Sequence, residues 1–78
     1  MKNFRSIKDL ILAVFLSLQG HEIIKTSNDG RVVSFLFEET KEFEEDVRKF
    51  ENRQGRVEPI AFGETLRRYK GMIFRGGL

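Results

Sequence analysis

Cysteine and tryptophan are absent from this chain, and there is one histidine and one proline. Without cysteine there is neither a disulfide frame nor a thiolate zinc site, so a reducing interior is the natural compartment and a cytoplasmic location is expected. His21, the one imidazole, stands at the turn after the first apolar segment, with Ile24 and Lys25 where a helical metal site would want a second ligand. It is predicted to be a surface histidine. Serine and aspartate occur, but nothing in their spacing assembles a nucleophile, base and orienting acid, and no glycine-rich phosphate loop is present. Catalysis, a metal, a cofactor and a small-molecule substrate are therefore not expected.

A long hydrophobic run is also lacking. The start, MKNFRSIKDLILAVFLSLQG, places Lys2, Arg5 and Lys8 ahead of an apolar stretch in the manner of a secretory signal. Asp9 abuts the stretch, however, and no small-x-small cleavage site follows. The run is far shorter than the roughly 20 residues that span a bilayer. It reads as a core helix, with no membrane partner.

What the sequence does contain is enough apolar material for one small domain: 78 residues, 40% hydrophobic, with eight phenylalanines. That argues against disorder, although a core of this size is only marginally sufficient and contact with a second chain would matter. The net charge of +2 hides strong zoning. Residues 1–37 sum to +2, residues 38–51 to −4 and residues 52–78 to +4. An acidic helix beside a basic one is expected, and the two could neutralise each other.

The first helix is predicted over residues 7–18. Ser6 is the expected cap, Asp9 follows it by three residues, and Gly20 accepts the left-handed conformation that ends the helix. Its apolar positions are too many for one face, so it should be buried on most sides. Strands are predicted over residues 22–28 and 31–37, joined through Asn28-Asp29-Gly30 by a tight type I′ connection or a bulged turn. On the second strand Val33, Phe35 and Phe37 point one way while Val32 and Leu36 point the other. Both sides of a two-stranded ribbon would then be apolar. Either three helices straddle it, or Val32, Leu36 and Ile23 form an interface with a second copy or another protein.

Helix two is predicted over residues 40–52, with Thr40 as cap and Phe43, Val47 and Phe50 as its only apolar stripe. Its run EETKEFEEDVRK reads as a solvated face, with Glu44 and Glu45 spaced to pair with Arg48 and Lys49. Helix three is predicted over residues 59–73. Pro59 opens it, and Phe62, Leu66, Tyr69 and Ile73 align on its core face. This leaves Arg67, Arg68 and Lys70 on its flanks and back. With Arg53, Arg56 and Arg75 they form either an ordinary wet helix surface or a nucleic-acid-binding face whose affinity would depend on salt.

The order of motifs resembles a family of small uncharacterised bacterial and bacteriophage domains classed as a domain of unknown function. The resemblance rests on Lys8-Asp9-Leu10, Leu12-Ala13 and Gly20; on Phe35, Phe37 and Glu38; on Val57-Glu58-Pro59; and on Leu66-Arg67 with Tyr69-Lys70. Ile7 stands where that family often has threonine, Glu51 where an aromatic is common, Glu58 for an aspartate and Tyr69 for a leucine. Glu58 is expected to cap helix three less well than aspartate would. The resemblance implies a fold and a phage or bacterial setting, in the host cytoplasm if phage-encoded, and no activity. The expectation is a single α+β domain ordered α-β-β-α-α, a two-stranded antiparallel hairpin packed with three helices. It would act by binding a nucleic acid or a nucleic-acid-processing protein through the basic final helix, or by forming a homodimer through the hairpin.

Overall fold

The computed structural model describes residues 2–74. Its elements run β1 (Phe4–Ile7), α1 (Leu10–Leu18), β2 (Ile23–Asn28), β3 (Val33–Glu38), α2 (Lys41–Glu51) and α3 (Pro59–Phe74). The α+β class is as expected, with its hairpin and three helices, but the sheet has three strands in the order β1-β3-β2, all antiparallel. The extra strand corrects the expected start of the first helix. Ile7 lies opposite Phe35 in the sheet, and Ser6, expected as the cap, lies opposite Leu36. The cap is Asp9, in extended backbone, whose carboxylate accepts from the N–H groups of Ile11 (2.9 Å) and Leu12 (3.3 Å). A carboxylate at that place satisfies donors that the first helical turn leaves unpaired.

Strand β3 lies in the middle because it alone alternates a fully apolar face with a mixed one. Phe35 and Phe37 are buried, and each contacts an aromatic ring from a different helix. Phe35 stacks on Tyr69 of α3 with ring centroids 5.8 Å apart, and Phe37 meets Phe43 of α2 at 5.5 Å. Both helices therefore cover the same face of the sheet. Helix α1 stands between them, with Ala13, Val14 and Leu16 fully buried, so its wide apolar surface is consumed as expected. Burial of each large core side chain contributes on the order of 1.5–3 kcal/mol.

The helices do not straddle the sheet. Its outer face carries Phe4, Ser6, Ser27, Ser34, Leu36 and Lys25, a mixed surface rather than the second apolar one expected of a two-stranded ribbon. Ile23 faces inward opposite Phe37, and an irregularity at Ile24 then shifts the β2 register. The hairpin connection is longer than a two-residue turn. The Asn28 side chain accepts from Gly30 N–H at 2.9 Å, and Asp29 accepts from Arg31 at 3.0 Å and Val32 at 2.8 Å. Gly30 has φ 94°, which a glycine adopts without steric cost.

Helices α1 and α2 end alike. The N–H groups of Gly20 and His21 bond to the carbonyls of Ser17 and Leu16; those of Arg53 and Gln54 bond to Phe50 and Lys49. This is the Schellman pair of bonds, whose central residue is left-handed. Gly20 fills that place in α1 with φ 101°, but in α2 it is Arg53, with φ 60°. Helix α3 opens with Pro59, and Glu58 caps it effectively, accepting from the N–H groups of Ile60 (2.7 Å) and Ala61 (3.1 Å). The longer glutamate side chain reaches the donors that an aspartate would.

Candidate functional site

Helix α3 is held on the sheet by Leu66, Tyr69 and Ile73, and the Tyr69 hydroxyl donates to Ser17 Oγ of α1 at 3.0 Å. That anchorage turns Arg67, Arg68 and Lys70 to solvent, and all three are exposed. Arg67 runs back along its helix toward Gly63, and the Arg68 guanidinium lies 6.0 Å from the Tyr69 ring centroid. Arg53 and Arg56 are exposed on the connection between α2 and α3 instead. Arg75 lies outside the described residues.

The expected neutralisation of the basic helix by the acidic one is not found. Among the described residues the ion pairs are Lys2 with Glu38, Arg5 with Glu39 at 3.8 Å, and His21 with Asp46. None joins α2 to α3, since α1 stands between them. The expected pairs of Glu44 and Glu45 with Arg48 and Lys49 are likewise not formed within 4 Å. Those side chains remain individually solvated, and such exposed pairs contribute little in any case.

His21 corrects another expectation. Its side chain is 15% exposed rather than on the open surface, its Nε2 lies 2.7 Å from Asp46 Oδ2, and its ring meets Phe43 edge-on at 5.5 Å. The pair ties the end of α1 to α2. No serine or threonine hydroxyl is bonded to this histidine among the described residues. No group of three histidine or acidic side chains among the described residues could hold a metal ion. No described helix is long and apolar enough to cross a membrane.

Two basic residues that the sequence did not assign to the basic face, Lys8 and Arg31, stand beside the end of α3. Lys8 and Arg31 line a shallow groove with Leu10, Val33, Phe35 and Ile73. They arrive from the β1–α1 connection and the hairpin tip, and no periodicity in the sequence links them. Asp29 belongs to the same corner. The Val32 and Arg31 N–H groups hold its carboxyl below its ordinary value of 3.8, with the Lys8 charge adding to the effect.

The three residues expected to form an interface are not brought together. Val32 precedes β3 and lines the Lys8–Arg31 groove, Leu36 lies half-buried on the outer face, and Ile23 packs against the core. On the strands that flank β3, Phe4 and Ile24 are exposed apolar side chains, at 50% and 49% exposure. Phe4 was hidden from sequence reading by its place in a four-residue strand.

No curated protein and no solved structure gives a significant match to the chain. The family model described as Domain of unknown function (DUF5659) matches residues 1–75, which cover every described element, and the chain belongs to that family.

Proposed function

We propose that this domain is a non-enzymatic accessory module that binds the phosphate backbone of a nucleic acid through α3, in a bacterial or bacteriophage setting and within the cytoplasm. Arg67, Arg68 and Lys70 are the contacts, and Lys8 and Arg31 extend the basic surface at the end of the helix. One observation carries the reading: the three α3 cations are exposed and none has a carboxylate within 4 Å among the described residues. Phosphate contacts made by such residues are independent of base sequence and weaken as salt displaces them.

Fluorescence anisotropy with labelled single- and double-stranded DNA and RNA, at low and rising salt, tests the reading. Retention at low salt that is lost in the Arg67→Glu/Arg68→Glu variant supports it. Absence of retention, or retention unchanged by that variant, refutes it.

A second reading is favoured by a separate observation, the exposure of Phe4 and Ile24 on the strands that flank β3, in a sheet whose outer face is uncovered. A second copy laid face to face would bury these side chains. Edge-to-edge pairing along β2 is disfavoured by the irregularity at Ile24 and the charge of Lys25. Sedimentation of the wild type and of Phe4→Ser decides: a concentration-dependent dimer that the substitution abolishes supports the reading, and a monomer throughout refutes it.

A further inference from the structure

A second groove lies where α1, the end of α2 and the start of α3 meet. Ile11, Phe15, Phe50, Val57 and Phe62 line it, with Arg53 at its rim. Ile11, one of these lining residues, is 41% exposed.

The rim is basic. Arg53 borders this groove, Lys49 and Arg56 border the adjoining one, and the two share Phe15 and Gly55. Of the carboxylates nearby, Asp46 is bonded to His21 and Glu58 caps α3. None of the three cations has a carboxylate within 4 Å among the described residues.

Arg53 supplies an independent observation. It fills the left-handed position of a helix end whose counterpart in α1 is Gly20, and glycine would take that conformation without strain. A residue with a side chain stays in this backbone region only at a cost, and such outliers gather at ligand-binding positions. Here the strained residue is one that lines the apolar groove.

We propose that this groove docks a short acidic, amphipathic protein segment, whose apolar side chains fill the floor and whose carboxylates meet Arg53 and Arg56. Apolar anchors in a groove bring affinity, and the charged rim selects and orients the segment. A nucleic-acid backbone would satisfy the rim but not the floor. The domain would then join a protein partner to whatever its α3 surface holds, although the groove stands without that reading.

Selection of displayed random short peptides on the intact chain, followed by calorimetric titration of the enriched sequences, tests the assignment. Enriched peptides should combine aliphatic or aromatic residues with carboxylates. Arg53→Gly should weaken their binding by about tenfold while raising the melting temperature, a pair of opposite effects that loss of folding cannot produce. Ile11→Ser should weaken it as well, and Arg67→Glu/Arg68→Glu should leave it unchanged. Absence of enriched sequences, enriched sequences without carboxylates, or full affinity in Arg53→Gly would overturn the proposal.

Discussion

Gly55 is a glycine because of Phe15. A Cβ built at position 55 would lie 2.6 Å from Phe15 Cε1 and 2.7 Å from Cζ, and the ring cannot swing away because it is buried and packed at 5.5 Å from Phe50. The connection between α2 and α3 crosses α1 closely, and Gln19 Nε2 fastens it by donating to the Arg56 carbonyl at 2.8 Å. Gly55→Ala is therefore expected to destabilise the fold by about 1–3 kcal/mol, as overpacking does, read from the midpoint of urea unfolding. Asp29 shows how a single side chain links stability to pH. Its folded carboxyl is held below 3.8, so its contribution is complete above that value and disappears as pH falls through the depressed one. The difference in melting temperature between the wild type and Asp29→Asn should be largest near neutral pH and shrink as the pH falls below 3.8.

Among the elements, β1 shows what a short strand hides. Phe4–Ile7 has four residues, too few to carry a period of two, and its pairing with β3 crosses the whole of α1 and the hairpin. Ile7 looks like the first turn of a helix because it precedes an apolar run; in the fold it is a core residue of the sheet. The junction between α1 and α2 depends on a contact that no local pattern announces, His21 with Asp46 at 2.7 Å. A double-mutant cycle of His21→Ala and Asp46→Ala should return a coupling of about 1 kcal/mol at neutral pH, and a value near zero would mean that the pair adds nothing to the docking of the helices. The caps, by contrast, are local. Thr40 accepts from Phe43 N–H at 3.0 Å as its spacing predicts, and Gly20 takes the conformation its position demands.

For the molecule as a whole, what matters is the separation of charge. Helix α1 keeps the acidic α2 away from the basic α3, so zones that could have neutralised each other face solvent separately. If α3 meets phosphates, the logarithm of the binding constant should fall linearly with the logarithm of salt concentration, and Arg67→Glu/Arg68→Glu should flatten that line by about one unit for each contact removed. Lys8→Glu or Arg31→Glu should flatten it also, because both stand beside the end of α3. A slope unchanged by all of these would remove the surface from consideration.

The sequence by itself determined the helices, the hairpin, the buried face of β3 and the exposure of Arg67, Arg68 and Lys70, because each depends on spacing or capping within a short stretch. Tertiary structure alone decided that a third strand pairs with β3, that all three helices cover one face, and that His21 is tied to Asp46. It alone gathered Lys8 and Arg31 beside α3, and it opened the groove rimmed by Arg53. The physical reason is the range of the interactions. Helix periodicity and caps act over a few residues, whereas strand partners, burial and the meeting of charges depend on which distant segments the folded chain brings into contact.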